Sequence, residues 1–144
     1  MSNEIRVVVD TNVIVSAMLF NSSTPGQAVS LLLKRGSLLI SIDLVEELND
    51  VLSREKLSRY VTREERERFL EALIAESELV EIKESITACR DPKDDHLLEL
   101  AASGGATFVV TGDRDLLVLD PFRNIRIVTP QDFLKRFGGT SSPT

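Results

Sequence analysis

Residues 5–19 read IRVVVDTNVIVSAML. Ile5–Val9 is apolar apart from Arg6 and too short for a helix, so it predicts a strand buried on both faces, as in a parallel sheet. Asp10 stands directly at the C-terminal end of that strand, and Asn12–Leu19 continues with helical spacing. Working outward, Asn21–Pro25 is a polar turn, and Gly26–Arg35 is an amphipathic helix ended by Gly36. Ser37–Ile40 predicts a second strand. Leu44–Leu52 predicts a helix with Leu44, Leu48, Val51 and Leu52 on one stripe.

Thr62 with Glu65 forms a capping-box signal for a helix over Thr62–Ser77. Leu79–Ile82, Thr107–Val110 and Ile125–Val128 predict three further strands. Asp91 and Pro92 open a helix that runs to about Ala102 and stops at Gly104-Gly105. Pro130 starts a last helix, to Phe137. Strands alternating with helices define an α/β domain around a mainly parallel sheet. One domain, residues 1–137, is expected, followed by a disordered tail over 138–144 that has no large apolar residue.

The chain has 144 residues, 42% of them hydrophobic, which is enough for a core at this length. Cys89 is the single cysteine, which excludes an internal disulfide and a Cys-rich zinc site. No apolar run approaches the roughly 18 residues that a membrane span needs. The start, MSNEIRVVVD, has no basic-then-apolar signal pattern, so a cytoplasmic protein is expected. The formal net charge of −6 is unusual for a protein that grips phosphates by bulk charge. Net charge misleads, however, wherever carboxylates hold divalent cations.

Parallel sheets carry their working residues at the carboxyl ends of strands. Asp10 ends the first strand, Asp113 follows the fourth, Glu47 lies on the helix after the second, and Asp94 begins the helix before the fourth. Clustered carboxylates repel and need protons or cations to persist. Oxygen donors without a His or Cys set select hard cations such as Mg²⁺ or Mn²⁺, and such a site suits phosphodiester hydrolysis. Each acid also has a plainer reading, since Asp after a strand is commonly a turn or N-cap residue. Asp10 stands above that baseline, between three valines and another apolar run.

Helical geometry separates the adjacent acids. At about 100° per residue, Glu47 borders the Leu44/Leu48/Val51 stripe while Glu46 faces solvent. Asp94 aligns with Leu97, Leu98 and Ala101, while Asp95 turns away toward a cap or supporting role. Ser41 fits best as a helix cap. Thr111 is placed to hold the Asp113 loop, and Asn12 either orients Asp10 or caps its helix.

Four segments, VVVDTNVIVSAML, SIDLVEELNDVL, CRDPKDDHLLELA and FVVTGDRDLL, together resemble the PIN domain family over residues 5 to about 135. They are similar to the bacterial and archaeal PIN proteins assigned as toxins of toxin–antitoxin systems, relatives of VapC. The resemblance implies a three-layer α/β/α fold with a parallel sheet of about five strands, and Mg²⁺- or Mn²⁺-dependent ribonuclease activity. It maps the family's four acids onto Asp10, Glu47, Asp94 and Asp113, with Thr11 and Asn12 beside the first, Ser41 before the second helix, and Thr111 before the last acid. Asp91, Asp95 and Asp115 are additional carboxylates for supporting roles. The resemblance also implies an RNA substrate, a homodimer or higher symmetric oligomer, and a small antitoxin partner. The alternative is a PIN-fold RNA-processing or scaffold protein with little catalysis.

Other readings are weaker. A dehalogenase-type phosphatase needs a second Asp where Asn12 stands, and a nucleotide-binding module needs a glycine-rich loop that DTNVIVSA lacks. Arg54, Lys56, Arg59, Arg63, Arg66 and Arg68 are positioned to contact RNA, but the interspersed glutamates favour a solvated helix with internal ion pairs. His96 reads as a surface residue and Cys89 as packing.

Overall fold

The computed structural model describes residues 5–138, so the tail expected to be disordered lies outside them apart from Gly138. The elements run β1 (Ile5–Val9), α1 (Thr11–Leu19), α2 (Thr24–Arg35), β2 (Gly36–Ile40), α3 (Ile42–Leu52), α4 (Glu55–Ser58) and α5 (Arg63–Glu76). They continue with β3 (Glu78–Leu79), α6 (Pro92–Gly104), β4 (Phe108–Val110), α7 (Arg114–Leu117), β5 (Arg126–Val128) and α8 (Pro130–Phe137). The five strands form one sheet in the order β3-β2-β1-β4-β5, and every pairing is parallel. This is the expected α/β/α architecture.

The apolar run of β1 occupies the centre. Val7, Val8 and Val9 are buried, with Val8 opposite Val109 and Val9 opposite Val110 of β4. Leu38, Leu39 and Ile40 extend the same core through β2. Burial on both faces explains why these strands read as continuous apolar runs and not as alternations. α6 packs on β1, β2 and β4, and α2 packs on α1 and α8. Phe108 of β4 meets Phe133 and Phe137 of α8 edge-on, which fastens the last helix to the sheet.

Local chemistry sets the boundaries. α2 begins earlier than its hydrophobic spacing suggests, because the Ser23 hydroxyl caps it by accepting from the Gly26 N–H and Pro25 sits in its first turn. A Cβ at Gly26 would lie 2.4 Å from the Asn21 carbonyl oxygen, so only glycine permits this close approach. Thr62 and Glu65 form the full capping box at the start of α5. Gly105 ends α6 in the left-handed region at φ 66°.

The third strand is shorter than its sequence predicts. Only Glu78–Leu79 pairs with β2, followed by one more bond from the Val80 N–H to the Ile40 carbonyl. Beyond it the chain bonds to side chains of α6. Ser103 Oγ accepts from the Lys83 and Glu84 N–H groups, Glu99 Oε2 from Ile86, and Asp95 Oδ1 from Ala88 and Cys89. Asp95, Glu99 and Ser103 are spaced four apart, so they form one stripe along the helix. That stripe satisfies the backbone donors of the connecting segment in place of a sheet partner. Among the described residues, no helix is long and apolar enough to cross a membrane.

Candidate active site

The strand order reverses at β1: β2 and β3 lie on one side, β4 and β5 on the other. A crevice opens at the carboxyl ends of strands at such a switch point. Asp10 leaves β1 there, and its N–H bonds to the Val110 carbonyl at 2.9 Å. Thr111 leaves β4 beside it and is fully buried. The Thr111 hydroxyl donates to Asp10 Oδ2 at 2.6 Å and accepts the Asp113 N–H at 3.0 Å. One hydroxyl thus fixes the acid of β1 and the turn that carries the acid of β4. Asp10 Oδ1 accepts from the Asn12 N–H, so the carboxylate also caps α1.

Glu47 lies in the second turn of α3 and receives a hydrogen bond from Thr11 Oγ1 at 3.3 Å. Glu46 is exposed on another face of that helix. Asp94 lies in the first turn of α6, buried at 8% exposure. Asp10, Glu47, Asp94 and Asp113 line one polar cavity of about 270 Å³, together with Thr11 and Asn12. Asp91 and the cations Arg54 and Lys93 line it as well. Of the six basic residues between 54 and 68, Arg54 alone lines this cavity. Lys93 carries no motif of its own, and its place in CRDPKDD next to Asp94 is the signal that could have singled it out.

Ser41, Asp95, Thr111 and Asp115 do not line the cavity. Ser41 is buried and caps α3 by accepting the Leu44 N–H. Asp95 is buried but directed at the Ala88 and Cys89 N–H groups, which hold its carboxyl below the usual range. Asp115 is exposed, and its N–H is capped by Asp113 Oδ1. His96 is exposed. Burial, followed by a hydrogen bond to Asp95 and the Asp95, Asp94 and Asp113 charges, pushes the Cys89 thiol up to about 12, so it is no thiolate nucleophile.

The electrostatics of the cavity concentrate on Asp94. Burial first, then the Asp113, Asp91 and Asp10 charges and a hydrogen bond to Asp113, push its carboxyl up to about 6. Among the described residues, no three His, Cys, Asp or Glu side chains converge into a ready-made metal-binding group. The donor set nevertheless fits Mg²⁺ or Mn²⁺. It is all oxygen, and Mg²⁺ keeps several waters while binding through one or two carboxylates and substrate phosphates. Burial raises the Asp94 carboxyl first and the neighbouring acids raise it further, and a cation would offset the second contribution.

A family profile described as PIN domain matches residues 6–115, and the chain belongs to this family. PIN domains are generally nucleases. The chain is 26% identical over 144 residues to the uncharacterized protein MJ1680 of Methanocaldococcus jannaschii, covering 93% of this chain and 92% of that one. Its fold is similar to that of VapBC2 from Rickettsia felis bound to a DNA fragment from its promoter, with TM-score 0.62 and 17% identity over 87% of this chain and 98% of that chain. It is similar to the same degree to PAE2754 from Pyrobaculum aerophilum, with TM-score 0.62 and 16% identity over 95% of this chain and 91% of that chain.

Proposed function

We propose that the protein is a metal-dependent ribonuclease that hydrolyses RNA phosphodiester bonds, with Asp10, Glu47, Asp94 and Asp113 holding Mg²⁺ or Mn²⁺. The observation that carries this reading is that carboxylates from four separate segments line one small polar cavity in a PIN domain. A bound divalent cation would neutralise the acids, polarise the phosphate and ease ionisation of the attacking water. The chain's own residues supply the rest. Thr111 and Thr11 hold Asp10 and Glu47 in fixed orientations, so little reorganisation remains for the reaction. Arg54, which also pairs with Asp50 at 3.5 Å, and Lys93 stand among the acids of the cavity and would meet the RNA backbone beside the bound cation.

The setting this reading favours is a cytoplasmic toxin of a toxin–antitoxin pair. A small antitoxin protein would be its partner, and a homodimer or higher symmetric oligomer its assembly. The similarity in fold to VapBC2 supports it. Catalysis is tested with purified protein and RNA. Mn²⁺ or Mg²⁺ should permit cleavage, a chelator should stop it, and Asp10→Asn should lower the rate by several orders of magnitude. Equal cleavage by Asp10→Asn and wild type would assign the activity elsewhere.

A further inference from the structure

A second, larger cavity adjoins the acids and differs from the first in its chemistry. It has a volume of about 640 Å³ and shares Asp10, Asn12 and Asp113 with the acid cavity, so the two meet along these residues. Apart from the two shared carboxylates, no charged side chain lines it. Val13, Pro25 and Pro130 give it apolar walls, while Ser16, Thr24 and Gln131 offer neutral hydrogen-bonding groups. Thr24 and Gln131 are exposed and Ser16 is half-buried, so all three side chains are accessible to a ligand in this cavity.

We propose that this cavity receives a nucleobase of the RNA strand, next to the phosphate to be cut, and that Ser16, Thr24 and Gln131 set the base preference at that position. The proposal rests on the ribonuclease reading of the adjoining acids. Its volume is that of a small-ligand site. A phosphate is disfavoured, because two carboxylates stand at the junction and no Lys or Arg lines the cavity. An aliphatic group is disfavoured, because hydroxyl and amide groups would lose their water without partners. A base has apolar faces and a hydrogen-bonding edge, and proteins read single-stranded RNA by accepting such unstacked bases. The two cavities then divide the strand between them. The acid cavity, with its bound cation and the side chains of Arg54 and Lys93, meets the backbone, and the adjoining cavity takes the base. No aromatic residue lines the cavity, so stacking is missing and free nucleosides should bind only in the millimolar range.

Two readouts separate this proposal from the one beneath it. Chelated protein is titrated with adenosine, guanosine, cytidine and uridine, and in parallel with inorganic phosphate, while backbone amide resonances are followed. At least one nucleoside should move the amides of Ser16, Thr24 and Gln131 at millimolar concentration, and Thr24→Val or Gln131→Ala should weaken that response at least threefold. Cleavage ends are then sequenced from a randomised RNA. Gln131→Ala should reduce the preference for one base beside the cut at least fivefold. Binding of nucleosides without RNA cleavage would uphold the cavity assignment and remove the ribonuclease reading. The assignment falls if phosphate alone moves those amides, if no nucleoside does, or if Gln131→Ala cuts RNA with an unchanged base preference.

Discussion

The Thr111 hydroxyl has one proton, and it goes to Asp10 Oδ2, while its oxygen accepts the Asp113 N–H. A valine would fill the same space and break both links. Asp94 is the complementary case, a buried carboxyl with acids around it and its pKa raised from 3.8 to about 6. The native state therefore binds more protons than the unfolded chain between those values. Its stability falls as pH rises through that window, and the full penalty applies above about pH 6. Asp94→Asn removes the charge and keeps the shape. In chelated protein it should raise the melting temperature at pH 7.5, with the gain shrinking to nothing by about pH 4. Thermal unfolding of variant and wild type across that range checks this. A difference as large at pH 4 as at pH 7.5 would mean that packing, and not charge, separates the two.

At the scale of elements, a helix turns adjacent side chains about 100° apart, and this decides between the paired acids. Glu47 lines the acid cavity and Glu46 is exposed. Glu47→Gln should abolish cleavage and weaken metal binding, while Glu46→Gln should stay within tenfold, or about 1.4 kcal/mol in transition-state terms. Steady-state rates settle the pair, and a loss at Glu46 with Glu47 spared would refute the assignment. Asp95, next to Asp94 in the first turn of α6, makes different contacts. It caps two backbone N–H groups of the segment before α6, so Asp95→Ala should cost about 1–3 kcal/mol of stability. Denaturant unfolding measures that cost, and an unchanged midpoint would deny the capping role. The same helix shows what the sequence could and could not convey. The apolar runs at Val7–Val9 and Phe108–Val110 announce buried parallel strands, and the capping signals at Thr62 and Asp91 announce helix starts. The side chains of Asp94 and Asp95 are separated by the same angular argument. By contrast, α4 and α7 have four residues each, too few to show a period. The early end of β3 depends on Asp95, Glu99 and Ser103 of α6 folding back onto the segment that precedes it, which no local pattern reports. The neutral cavity beside the acids was equally hidden, since Ser16, Thr24 and Gln131 converge only through packing of α1, α2 and α8.

For the whole molecule, the sheet topology gathers acids that lie more than a hundred residues apart at one crevice, in a chain already carrying a net charge of −6. The core must hold that repulsion in place, and it does so through the buried strands that end at Asp10 and Thr111. Unfolding scatters the four carboxylates, so a divalent cation should bind the native state far better than the unfolded chain. Mass action then stabilises the fold by about 2.7 kcal/mol when the free cation is a hundredfold above its dissociation constant. For a domain of this size that is a rise of roughly 5–15 °C in melting temperature. General screening of a negatively charged protein would also raise the melting temperature, but NaCl at matched ionic strength reproduces that part. Scanning calorimetry across a Mn²⁺ titration, with the NaCl series alongside, separates the two. The Mn²⁺ curve should lie clearly above the NaCl curve, and the gap should close in Asp10→Asn and Glu47→Gln, which each remove one negative oxygen donor. In Asp95→Asn the gap should persist, because that carboxylate is directed away from the cavity and toward the backbone of Ala88 and Cys89. Superimposed Mn²⁺ and NaCl curves in the wild type would show that the acids bind no cation in the free protein, and the reading of this cavity as a metal site would have to be abandoned.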